Sequence, residues 1–115
     1  MIIAVEGTKS FQDYETFMRA MGVALSTPSE TPTIEVWSAG PHKINSFTAA
    51  FCNSSENFLR SQGLKISFRK IPASVIEQNI NDVDFFAYFS SRREPNSRLV
   101  GAAQLADVEI GIFRV

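Results

Sequence analysis

The sequence predicts a Rossmann-like α/β fold: a doubly wound, parallel, five-stranded sheet flanked by helices, in one domain spanning residues 1–115. Three observations carry this. Short apolar or alternating runs recur between stretches of helical period, giving strand–helix alternation from end to end. The chain has 115 residues, enough for one ordinary domain and too few for two. Ten phenylalanines and 44% apolar residues promise a core that needs no disulfide or metal to support it.

Each element has a local reason. "MIIAV" (Met1 to Val5) is a continuous β-branched run and reads as a strand buried on both faces. Phe11, Tyr14, Phe17, Met18, Met21 and Leu25 then form one helical stripe. Ser10 is placed to cap this helix, with Asp13 and Glu15 favouring its first turns. "STPSETPT" (Ser26 to Thr33) is a loop with two prolines, and "TIEVWS" (Thr33 to Ser38) alternates as a second strand. A helix is expected from Asn45 to Gln62, with Phe47, Phe51, Phe58 and Leu59 on one face and Gly63 as its C-cap.

"KISFRKI" (Lys65 to Ile71) is a third strand, and Pro72 opens a short helix where proline is tolerated. "DVDFFAYFSS" (Asp82 to Ser91) reads as a central strand, with Asp82 and Asp84 as turn residues at its start. Ser97 to Ala106 forms the last helix and Val108 to Val115 the last strand. Right-handed crossovers restrict the topology; 3-2-1-4-5 is the simplest doubly wound order and 2-1-3-4-5 the runner-up, which sequence alone does not separate from it.

Composition excludes several function classes. The formal net charge is −1, which argues against a nucleic-acid binder working through a general basic field. No run approaches the ~20 apolar residues of a membrane span. The N-terminus lacks the pattern of a signal peptide, and Cys52 is the only cysteine, so a reducing, cytoplasmic setting is expected. His42 has no partner at metal spacing, and Cys52 has no basic neighbour to activate it and reads as a small core residue.

In doubly wound sheets ligands lie beyond the carboxyl ends of the strands, where the strand order reverses. The loops expected there are "EGTKS", "SAGPHKIN" and "SSRREPNS". They bring Gly7, Thr8, Lys9, Gly40, His42, Lys43, Asn45, Arg92 and Arg93 to one edge, with helix N-termini at Ser10, Asn45 and Ser97. Glycine, positive charge and helix N-termini together suit an anion such as a phosphate. Each residue also has a plain reading: Gly7 as a turn residue, and Lys9, Arg92 and Arg93 as solvated loop charges. Neither G-x-G-x-x-G, G-x-x-x-x-G-K-[ST] nor G-x-S-x-G occurs, so standard dinucleotide, P-loop and hydrolase-elbow sites are disfavoured.

"VEGTKSFQDYETFMRAM" resembles the opening of the SLOG superfamily, a Rossmann-like group that includes the DNA-processing and LOG phosphoribohydrolase families. It is most similar to the small stand-alone YspA-type group. There a first strand runs into a Gly-Ser-Arg-Asp-Phe-like turn, matched here by Gly7, Thr8, Lys9, Ser10 and Phe11, and Asp13 and Tyr14 follow. In the second signature Gly40 matches a glycine, His42 stands at the arginine and Asn45 at the aspartate.

The resemblance implies a nucleotide or nucleotide-derived ligand. Gly7, Thr8 and Lys9 would lie on its phosphate, Gly40, His42, Lys43 and Asn45 would form a second wall, and Arg92 and Arg93 would close over it. The hydrolase members' Pro-Gly-Gly-x-Gly-Thr loop has no counterpart, because "SSRREPNSR" contains no glycine. The expectation is therefore a binding protein with no catalytic residues and no cofactor, of a compact kind also found among phage-encoded accessory proteins. Two alternatives stand beside it. One is a protein–protein module for a host or partner protein that kept the scaffold. The other is an N-glycosidic hydrolase, for which Glu6 and Glu94 are the nearby carboxylates. Homo-oligomerisation is left open.

Overall fold

The computed structural model describes residues 1–26 and 31–115. The strands are β1 (Ile2–Gly7), β2 (Thr33–Ser38), β3 (Lys65–Lys70), β4 (Phe85–Ser90) and β5 (Glu109–Arg114). The helices are α1 (Tyr14–Leu25), α2 (His42–Ser61), α3 (Ala73–Gln78) and α4 (Arg98–Leu105), with a short 3-10 turn at Ile80–Asp82. All five strands are parallel, in the order β3-β2-β1-β4-β5.

Strand chemistry explains this order. β4, "FFAYFS", is buried at every position and lies inside the sheet. β3, "KISFRK", exposes Lys65, Ser67, Arg69 and Lys70 and could not be covered on both faces, so it takes an edge. Alternation along β1 divides the core. Ile3 and Val5 join Phe17, Met21, Ile44, Phe51 and Phe89 under α1 and α2. Ala4 joins Trp37, Ile76, Phe86, Tyr88, Leu99 and Val100 under α3 and α4.

Four expectations need correction. β1 continues through Glu6 to Gly7, because its last residues still pair with Tyr88 and Phe89 of β4. The α1 cap is Asp13, whose carboxylate accepts from the Thr16 amide at 3.1 Å and the Thr16 hydroxyl at 2.9 Å; Ser10 lies in the preceding loop. α2 starts at His42, with Pro41 at the N-cap position and Asn45 already inside, its amide donating to the Pro41 carbonyl at 3.0 Å.

The fourth is Phe58, which is 68% exposed. The buried stripe of α2 runs through Ile44, Thr48, Phe51, Cys52 and Leu59. Phe47 flanks that stripe and is covered by the rings of Phe11, Tyr14 and Phe17. Phe58 lies about 16 Å further along the helix axis, beyond those rings. The loop expected at Ser26 to Thr33 falls partly on residues 27–30, outside the described residues.

Candidate functional site at the carboxyl edge of the sheet

β1 sits between β2 and β4, so the loops that leave these three strands meet at one edge. Backbone hydrogen bonds join them. The Gly7 amide donates to the Gly40 carbonyl at 3.0 Å, and the Thr8 amide to the Phe89 carbonyl at 2.9 Å. These two amides are therefore committed to holding the loops together. Glycine at position 7 has a packing reason as well. A Cβ there would stand 2.7 and 2.8 Å from the Ile44 side chain and 3.0 Å from the Phe89 carbonyl. Gly40 has φ +90°, a left-handed conformation that favours glycine, and precedes a cis bond to Pro41.

The side chains divide into committed and exposed. Asn45 accepts from the Ser38 hydroxyl at 2.6 Å, fastening the end of β2 to α2. Thr8 and Ser10 share a hydrogen bond of 3.0 Å. Lys9, His42, Lys43, Arg92 and Arg93 are exposed, and Lys43 lies 6.0 Å from the centre of the Phe47 ring. Among the described residues Lys9, Lys43, Arg92 and Arg93 enter no ion pair.

The helix N-termini differ from one another. Asp13 fills that of α1 with its own carboxylate. Ser97 accepts from the Val100 amide at the start of α4. Pro41 makes no side-chain cap, so the first amides of α2 receive no help from that position.

Three residues that sequence reasoning passed over shape the edge. Arg114, at the end of β5, donates to the Ser90 hydroxyl at 2.7 Å, the Ser91 and Glu94 carbonyls at 3.3 and 2.6 Å, and the Asn96 side chain. Tyr88 donates to the Pro95 carbonyl at 3.2 Å. The loop bearing Arg92 and Arg93 is thereby pinned while its two cations stay exposed. Lys70, the last residue of β3, lines a hollow of about 300 Å³ with Ser38, Ala39, Asn45, Ile71 and Pro72. An arginine near the chain end and a lysine closing a strand carry no motif, and only the strand order reveals their place.

Besides Asp13, the edge carries two carboxylates in opposite environments. Glu94 accepts from the Ser10 hydroxyl and, at 2.5 Å, from the Ser91 hydroxyl, and these bonds hold its pKa below the ordinary carboxylate range. Glu6 points to the α3/α4 side. Burial pushes its pKa up, against the opposing effect of a hydrogen bond donated by Ser97. Among the described residues no group of three or more His, Cys, Asp or Glu side chains is arranged to hold a metal ion, and no helix is long and apolar enough to cross a membrane.

No family model, curated protein or solved structure matches the chain.

Proposed function

We propose that the protein binds a phosphate-bearing, nucleotide-derived ligand at the carboxyl edge of its sheet and does not transform it. The observation that supports this most is the gathering of exposed cations at that edge. Lys9, Lys43, Lys70, Arg92 and Arg93 gather at the carboxyl edge without ion-pair partners among the described residues. Asp82, Asp84, Asp107 and Glu109 gather at the amino edge beside Lys65, Arg60 and the Met1 ammonium, while Glu6, Asp13 and Glu94 stand among the cations of the carboxyl edge. Exposed cations still outnumber carboxylates at the carboxyl edge, which favours an anion there despite a net charge of −1. The SLOG resemblance supplies the ligand class. With the Gly7 and Thr8 amides committed and the Thr8 hydroxyl bonded to Ser10, the Lys9 ammonium remains to meet a phosphate, together with the α2 N-terminus. A cytoplasmic setting accords with a single, buried, unpaired cysteine.

Calorimetric titration with pyrophosphate and with nucleoside mono- and diphosphates tests the reading. Binding should weaken with added salt, and Lys9→Ala and the Arg92→Ala, Arg93→Ala double variant should each reduce it without lowering the melting temperature. Equal binding by wild type and both variants would dismiss the edge as the site.

A second reading, a module for a host or partner protein, is favoured by one observation: Phe58 stands 68% exposed on the outer side of α2. A Phe58→Ser variant that keeps phosphate binding but loses a partner would separate the two readings.

A further inference from the structure

Glu6 is the one residue of β1 that ends in neither sealed core nor loop. The alternation that sends Ile3 and Val5 under α1 and α2 sends Ala4 and Glu6 under α3 and α4. Ala4 is fully buried, while Glu6 lies where the sheet gives way to loops. There it lines a cleft of about 390 Å³ with Ala73, Ser74, Glu77, Arg98 and Leu99. Glu77 and Arg98 are paired at 3.0 Å, so the charge they leave in the cleft is small and that of Glu6 is uncompensated.

Two polar groups on this side of the sheet lack partners. Oε1 of Glu6 accepts from Ser97, and Oε2 has no hydrogen-bond partner among the described residues. Nε1 of Trp37 is the buried one; Trp37 is 8% exposed and packs in the same layer as Ala73 and Leu99, behind the cleft lining rather than in it. The free oxygen of Glu6 opens on the cleft rather than being sealed from solvent, and a carboxylate oxygen beside a mostly apolar surface suits an N–H donor carried on something flat and partly apolar. The acidic character of the cleft suits the phosphate end of a ligand poorly and its ring end well. Glu6 directly precedes the Gly7–Lys9 segment, so a ring in the cleft and a phosphate on the cationic edge would be neighbours.

We infer that this cleft is a subsite for an amino-bearing heterocyclic ring of the nucleobase class, which donates its N–H edge to Glu6 and lies against Leu99 and Ala73. The inference rests on the proposed function for the phosphate end of the ligand, and the two are tested separately.

Guanosine, adenosine and cytidine, which lack phosphate, are titrated into ¹⁵N-labelled protein, and pyrophosphate is titrated in a parallel series. At least one nucleoside should move the Ser74 and Leu99 amides and the Trp37 indole N–H. Glu6→Gln should weaken that nucleoside by about tenfold, as expected for losing a charged hydrogen-bond acceptor. Pyrophosphate binding should be unchanged in Glu6→Gln. Ser74→Trp, a change at an exposed position of α3, should block the nucleoside by filling the cleft and serves if Glu6→Gln disturbs folding. The inference is overturned if no nucleoside moves these signals, or if both variants bind it as wild type does. Nucleoside binding without pyrophosphate binding would uphold the cleft and reject the phosphate edge. Pyrophosphate binding alone would do the reverse.

Discussion

Replacing Gly7 by alanine adds one methyl group at the junction of β1, β4 and α2. The new Cβ would stand 2.7 Å from Cγ1 and 2.8 Å from Cδ1 of Ile44, where carbon–carbon contacts normally settle at about 3.5–4.0 Å. The deficit is about 0.7 Å or more on both atoms. Ile44 is fully buried and β-branched, so it has little room or rotamer freedom to retreat. On the other side is the Phe89 carbonyl at 3.0 Å, held in place as the acceptor of the Thr8 amide. Overpacking of this kind costs about 1–3 kcal/mol, and Gly7→Val should exceed Gly7→Ala.

Urea denaturation of the two variants measures the cost, and a double-mutant cycle identifies its cause. Ile44→Ala alone should cost about 2–5 kcal/mol, yet combined with Gly7→Ala the total should fall short of the sum by about 0.5–3 kcal/mol, because the clash is gone. Gly7→Ala within about 0.5 kcal/mol of wild type would refute the packing account and return Gly7 to the role of a simple approach path for a ligand.

Other consequences follow from burial and charge. Phe17→Ala and Phe51→Ala, in the layer under α1 and α2, should each cost about 3–5 kcal/mol by denaturation, whereas Phe58→Ala should change stability by no more than about 0.5 kcal/mol. The Cys52 thiol, buried and with its pKa pushed up to about 11, should resist thiol reagents at neutral pH until the protein is unfolded; rapid labelling of the native state would contradict its burial. Burial raises the Glu6 pKa above its unfolded value, so the folded state binds the extra proton, and Glu6 lowers stability as pH rises from the ordinary carboxylate range through its raised pKa. Melting curves should therefore show Glu6→Gln gaining stability relative to wild type as pH rises through that window, with the gain absent at more acid pH. A constant difference across pH would show that Glu6 is not desolvated.

Two strand orders stood open from the sequence, and the structure shows which strand chemistry decides between them. The polar and charged residues of "KISFRK" suit an edge and would be stranded in the centre that 2-1-3-4-5 requires of β3. The wholly apolar run within "DVDFFAYFSS" places β4 inside in the same way. Caps were harder to read, because Ser10 and Asp13 are both good N-cap residues. The choice between them turns on Phe11, which tucks into the core and delays the helix, and on Ser10 bonding to Glu94 across the edge. Phe58 satisfied a local spacing rule, but its burial depended on what α1 reaches.

Loop glycines and loop cations at the site were legible as residue types, and their meeting at one edge followed from topology. The partners of Gly7 were not legible, since Ile44 and Phe89 reach it only through the tertiary fold. For the same reason no short-range signal led to Arg114, whose contacts lie 18 to 24 residues away, or to the cleft at Glu6.

The central claim is that the carboxyl edge of the sheet is where an anion binds. Amide chemical-shift mapping during titration with pyrophosphate tests it most directly. Saturable shifts are expected to be confined to residues 8–10, 40, 42, 43 and 91–94, with Lys70 beside them, and to be lost in a Lys9→Ala, Arg92→Ala, Arg93→Ala triple variant that melts like wild type. Absence of saturable shifts at this edge, or shifts that persist unchanged in the triple variant, would contradict it.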